Sequence, residues 1–186
     1  MDRPVRRNTG VTAATQAAPA IRVEAPAETF EDLYRRTLPR VYAYAASLLR
    51  DRSAAEEVTA QAFERAYRRR ASFRPGRGPV EAWLFGIARN AALDELRRRK
   101  RRAALEAEPE DVGLAPSDEQ ADLLLRREAV RAALASLEPR ERDLVALKFA
   151  GGLSNAEIAR VLGISESNVG TRLHRTIERL RKACHD

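Results

Sequence analysis

The side chains best placed to do chemistry in this sequence are Ser167, Asn168, Thr171, Arg172 and Arg175, which recur at helical steps within SESNVGTRLHR. Small hydroxyls and an amide, with arginines one turn further on, are hydrogen-bonding groups suited to base edges and phosphates of duplex DNA. Groups that make and break bonds are missing. There is no glycine-rich phosphate loop and no Cys or His pair at metal spacing, and the two histidines, His174 and His185, lack a nearby nucleophile. No catalytic residue, cofactor or metal is expected, and His174 is expected to meet DNA backbone or solvent.

Two short helices and a tight turn must position those groups. Ser154 caps the first helix, and Glu157 three residues on completes a capping box. Ile158, Val161 and Leu162 give it an apolar stripe, and small Ala159 permits close approach of a second helix. Gly163 supplies the positive φ the turn needs, and Ser165 caps the second helix, whose expected inner side is Val169, Leu173, Ile177 and Leu180. An ordinary helical hairpin would share the periodicity, but the alanine, glycine and valine together match a helix-turn-helix whose second helix reads DNA.

Charge points to a polyanionic partner. The chain carries 34 Lys and Arg against 27 Asp and Glu, a net +7, and nearly all the cations are Arg. Arg donates two parallel hydrogen bonds to phosphate. The charge is divided: +2 over 1–27, +8 over 28–102, −7 over 103–125 and +4 over 126–186. Two basic blocks around an acidic one imply two domains and a tether. The expected boundaries are a disordered extension at 1–27, rich in Ala, Pro, Thr and Arg, a first domain at 28–102, a flexible acidic linker at 103–121 with Pro109, Gly113 and Pro116, and a second domain at 122–186. A single Cys184 allows no internal disulfide and suits a reducing cytoplasm. No apolar run approaches the ~20 residues of a membrane helix, and the N-terminus lacks a signal-peptide core, so a cytoplasmic protein is expected.

In the first domain, Phe30, Leu33, Tyr34, Leu38, Val41, Tyr42, Ala45, Leu48 and Leu49 recur at helical intervals, with Pro39 expected to kink this segment or restart it as a second helix. Ser53 with Glu56 predicts a capped helix to about Arg70, with Val58, Ala62, Phe63, Ala66 and Tyr67 inward. SFRPGRGP, residues 72–79, predicts a non-helical loop. Pro79 then opens a helix to about Arg102. Along it Trp83, Ile87, Asn90, Asp94, Arg97 and Arg101 form one line that begins apolar and ends charged. Trp83 is expected to be core.

The six consecutive cations from Arg97 to Arg102 exceed what the helix dipole needs, which favours phosphate contact. In the loop, Phe73 stands beside Arg74 and Arg77. Two readings stay open: the aromatic stacks on an unpaired base, or it plugs the base of the loop. In the second domain helices resume near Ala121, with Val130, Ala133, Leu134 and Leu137 inward, and Pro139 starts a helix that Gly151 and Gly152 stop. No segment alternates as a strand would. The expected class is all-α.

Three stretches together, AAEEVTAQAFERAYR, AWLFGIARNAALDELRRRKR and LASLEPRERDLVALKFAGGLSNAEIARVLGISESNVGTRLHRTIERLRK, resemble the extracytoplasmic-function (ECF) sigma factors, the short class of the sigma-70 family that keeps regions two and four. The likeness covers most of residues 28–183. It implies that the domain at 28–102 is region two and that at 122–186 region four.

The resemblance also implies roles. The helix matching Ala54 to Arg70 would bind the clamp helices of core RNA polymerase, through Glu56, Glu57, Gln61 and Arg65. The loop from Ser72 to Pro79, with Phe73, Arg74 and Arg77, would capture a flipped base of the minus-ten element, which Asn90, Asp94, Arg97 and Arg98 would also meet. Ser167, Asn168, Thr171, Arg172 and Arg175 would read the minus-thirty-five element of promoter DNA. Many relatives carry Gln where Ala60 stands, whereas here the glutamine is Gln61. An anti-sigma factor is an expected partner. Two other classes compete: a stand-alone helix-turn-helix regulator, which leaves the Trp83–Arg101 line unexplained, and a protein-interaction module that binds acidic partners.

Overall fold

A computed structural model of the chain describes residues 29–105 and 130–184, and among them all regular structure is helical. The extension at 1–27 and nearly all of the acidic segment lie outside the described residues.

Helix α1 spans Phe30–Leu49. It opens on a capping box that the sequence reading passed over: the Asp32 N–H donates to Thr29 Oγ1, and the Thr29 N–H to the Asp32 carboxylate, both at 3.2 Å. Pro39 lies inside α1 and starts no second helix. A mid-helix proline costs about 3 kcal/mol, but Leu33, Thr37, Val41, Tyr44 and Leu48 share one buried stripe across it, and their burial outweighs that cost.

Helix α2 spans Arg52–Arg68, and its N-cap is Asp51 rather than Ser53. A full carboxylate at the positive end of a helix outcompetes a hydroxyl two residues later. The Ala54 N–H donates to Asp51 Oδ1 at 2.9 Å, and this bond leads in holding the carboxyl below its ordinary range. Glu56, freed from capping, pairs with Arg52. The following loop is not wholly irregular, because 3-10 turns form at Arg70–Ser72 and Pro75–Arg77, the second pre-set by the φ of Pro75.

Helix α3, Val80–Leu105, runs past the expected end at Arg102. Its buried face is Leu84, Phe85, Ala88, Ala91 and Ala92, a stripe beside the Trp83–Arg101 line. Trp83 packs against the core but is only half-buried. The alanines let α1 and α2 close in on α3, around Val41, Tyr44, Ala55, Ala62 and Phe63.

The second group begins with α4, residues 130–135. Helix α5, Pro139–Val145, passes into a wide π turn, Ala146–Ala150, closed by the Gly151 N–H on the Ala146 carbonyl at 2.8 Å. Helices α6, Asn155–Leu162, and α7, Glu166–Ala183, complete it. The local signals for this pair hold: Ser154 and Glu157 form the capping box, Gly163 takes φ +67°, and Ser165 caps α7. The inner side of α7 also includes a polar residue. Thr176 is buried in α7, whereas Ile177, which packs against the core, and Leu180 are half-buried.

The two helical groups also pack on each other. Asp143 of α5, with 4% of its side chain exposed, accepts from Tyr44 Oη at 2.8 Å and from Arg89 Nε at 2.6 Å. Arg40 Nε donates to the Gly151 carbonyl at 2.8 Å, and its guanidinium lies 5.7 Å from the Phe85 ring centre. One continuous core joins Phe85 and Ala88 to Leu147, Leu153 and Ile158. Removing one partner of a buried ion pair costs about 3–5 kcal/mol, because the other charge is stranded.

Two outcomes follow. A Cβ on Gly151 would stand 2.7 Å from the Leu147 carbonyl oxygen and 2.9 Å from Phe85, so Gly151→Ala should lower the melting temperature in calorimetry by roughly 3–10 °C, the equivalent of about 1–3 kcal/mol. Burial, and then the charge of Asp143, push the Tyr44 phenol well above its ordinary 10.0. A raised folded-state value means stability that is complete below pH 10 and lost as pH rises further. Thermal unfolding should therefore show a fall above about pH 10 that Tyr44→Phe reduces.

Candidate nucleic-acid interface

The first turns of α7 present a polar surface because its apolar residues, Val169 and Leu173, are used in the core. Ser167, Thr171, Arg172 and Arg175 are exposed and Asn168 is half-buried. Arg172 Nε donates to Asn168 Oδ1 at 2.7 Å, and Thr171 Oγ1 to the Ser167 carbonyl at 3.0 Å, so this surface is partly ordered before any ligand arrives. Arg175 has no acidic partner among the described residues. His174 is exposed beside them.

A second surface surrounds the loop. Phe73 leans on Trp83 with ring centres 5.5 Å apart, and the two line a cleft of about 430 Å³ with Arg74, Arg77 and Asn90. Phe73 is half-buried and forms part of the wall. An aromatic pair beside arginines that have no acidic partner among the described residues can stack a planar ring and neutralise a phosphate. Arg160 and Val161 of α6 also line this cleft. Nothing in the sequence signals that contact, since α6 and the loop lie about eighty residues apart and the fold alone unites them.

Beyond the cleft the α3 line continues outward through Asp94, Arg97 and Arg98, all exposed. Arg97 pairs with Asp94 at 3.0 Å, and Arg98 with Glu95 at 2.5 Å. The run from Arg97 to Arg102 does not lie on a single face, because successive helical residues point about 100° apart. Arg99 turns inward: it reaches Glu95 and Asp51, each at 2.9 Å, and the Leu49 carbonyl at 3.5 Å, which ties α3 to the α1–α2 junction.

On α2, Glu56 and Glu57 are exposed, and Gln61 and Arg65 are half-buried. Gln61 donates to Glu57 at 3.0 Å, and Glu57 lies 3.9 Å from Arg98. The α2 surface and the charged stretch of α3 are thus neighbours. Among the described residues no group of His, Cys, Asp and Glu could hold a metal ion, and no helix is long and apolar enough to cross a membrane.

A helix-turn-helix and a basic aromatic cleft on one all-helical chain define a DNA-binding protein of transcription. Residues 33–102 match the family model for Sigma-70 region 2, and residues 127–180 that for Sigma-70, region 4. The sequence is 34% identical over 163 residues to the ECF RNA polymerase sigma factor SigE of Mycolicibacterium smegmatis, a match covering 85% of this chain and 62% of that protein. It is 35% identical over 158 residues to the RNA polymerase sigma factor CarQ of Myxococcus xanthus, covering 83% of this chain and 88% of CarQ. The structure is similar to the sigma factor RpoE of Bartonella quintana, solved with the anti-sigma factor NepR, with a TM-score of 0.68 at 27% identity over 83% of this chain and 95% of that one. CnrH, solved with the cytosolic domain of CnrY, shares the fold with a TM-score of 0.60 at 23% identity over 82% of this chain and 85% of that one. The chain belongs to the ECF RNA polymerase sigma factors of the sigma-70 family.

The α3 geometry separates a structural arginine from surface ones. Arg99→Ala should lower the melting temperature by several degrees, about 1–2 kcal/mol after allowance for its partial exposure, while Arg101→Ala, at an exposed position, should stay within about 0.5 kcal/mol.

Proposed function

We propose that this chain directs core RNA polymerase to specific promoters and starts transcription there. The observation that carries the reading is the pairing, on one sigma-70 chain, of the α7 surface from Ser167 to Arg175 with the Phe73–Trp83 cleft rimmed by Arg74 and Arg77. The α7 surface docks in the major groove of the minus-thirty-five element, where Arg172 and Arg175 contact bases and phosphates. The cleft takes a base flipped from the melted minus-ten element, and Asn90, Asp94, Arg97 and Arg98 follow the strand. Unstacking a base costs a few kcal/mol, which stacking on Phe73 and Trp83 offsets.

Glu56, Glu57, Gln61 and Arg65 contact the polymerase. Residues 28–102 and 122–186 act as two weak readers, and the tether at 103–121 raises their effective concentration once both are mounted on the enzyme. The negative charge of the tether suits the RNA path. The chain works in the cytoplasm, performs no catalysis of its own, and is held inactive by an anti-sigma factor, as the RpoE structure with NepR suggests by analogy.

Run-off transcription with purified core polymerase tests this reading. Core enzyme plus the chain should start at defined sites on genomic DNA, and Arg172→Ala with Arg175→Ala should weaken a promoter by roughly 10- to 100-fold. If no transcript appears unless another sigma factor is added, the chain is a conventional regulator. If promoter binding is unchanged by the two substitutions, its basic surfaces serve a protein partner.

A further inference from the structure

The two arginines of the α7 surface are not held alike. Arg172 Nε donates to Asn168 Oδ1 at 2.7 Å, one turn back along the helix, whereas no side chain among the described residues orders Arg175. Asn168 is itself anchored. It is half-buried, its N–H donates to the Ser165 hydroxyl at 3.2 Å, and the buried Val169 beside it fixes the rotation of the helix. The brace is an amide and not a carboxylate, so it orients the cation without cancelling the charge that draws it to DNA.

The bond decides what each of the two side chains can read. A guanidinium offers a side edge that includes Nε and an end edge made by its two terminal nitrogens. With Nε spent on Asn168, the side edge is closed and the end edge presents two parallel donors to solvent. In the major groove guanine meets such a fork with two acceptors, O6 and N7, whereas adenine sets a donor, N6, beside its N7. Asn168 is restricted in turn. Reading adenine takes both ends of an amide, the oxygen for N6 and the nitrogen for N7, and here the oxygen is engaged by Arg172. We infer that Arg172 reads a guanine of the minus-thirty-five element through its end edge, and that Asn168 is the positioning residue that aims it rather than a reader of bases. This rests on the promoter-reading function above. Asn168 acts by removing the cost of ordering a long, flexible side chain at the moment of binding.

Holoenzyme assembled from core polymerase and the full chain tests this on a promoter library randomised across the minus-thirty-five element, with transcripts counted by template sequence. One position should favour guanine, and Arg172→Ala should abolish that preference, a loss of roughly 10-fold or more. Asn168→Ala should weaken the preference at the same position by roughly 3- to 10-fold, leave the other positions unchanged, and add nothing to Arg172→Ala. Asn168→Asp, whose carboxylate also accepts from Nε, should keep the guanine preference while lowering transcription from every sequence, because it sets a negative charge against DNA. A merely structural Asn168 would weaken all sequences alike in Asn168→Ala. That result would overturn the inference, as would an Asn168→Ala chain that relaxes an adenine at a neighbouring position, or an Arg172→Ala chain that weakens every sequence equally, the mark of a phosphate contact. Each of these leaves the sigma-factor reading intact. A wild-type chain that starts no transcript from any member of the library would overturn that reading, and this inference with it.

Discussion

Asp143 is a carboxylate almost sealed from water, and the arrangement of the chain depends on how it is satisfied. Its two oxygens are divided between Tyr44 of α1 and Arg89 of α3, so one side chain of the second helical group is bonded to two helices of the first. A buried charge is tolerated only when paired and hydrogen-bonded, which makes this contact specific rather than adhesive. Arg40 extends it by bonding the carbonyl of Gly151, where the π turn ends and the chain swings toward the helix-turn-helix.

That constraint determines what the basic surfaces look like. Because α5 is bonded to α1 and α3, α6 falls across the loop, and Arg160 meets Gly78. The cleft is then a joint product of both groups, with aromatic and arginine residues from the first and a basic side chain from the second. Arg97, Arg98, Thr171 and Arg172 remain exposed.

The arginines illustrate how one residue type serves opposed ends. Arg172 is braced by Asn168 and faces solvent, whereas Arg99, in an equally basic run, is committed to Asp51, Glu95 and the Leu49 carbonyl. Within the run RRRKRR nothing local separates Arg99 from the exposed Arg97 and Arg98, since the difference is the helical angle at which each leaves α3 and what lies there. Arg89 is a further case, solitary in sequence and bonded in the fold to the buried Asp143.

The helix-turn-helix was legible in the sequence because its determinants are local: Ser154 with Glu157, Gly163 and Ser165 act on backbone groups within four residues. The same holds for the all-helical class and for the basic loop with Phe73. Where a local signal misled, a neighbour with a stronger one prevailed, as Asp51 did over Ser53. That α1 runs on through Pro39 and that Trp83 packs on the core while only half-buried depend on which stripe of α1 and α3 is buried, and that is decided by the facing helices. The Tyr44–Asp143–Arg89 contact and the place of Arg160 left no local mark at all. They join residues dozens of positions apart, and a pairing of that kind exists only once the chain has folded and desolvated the groups that make it.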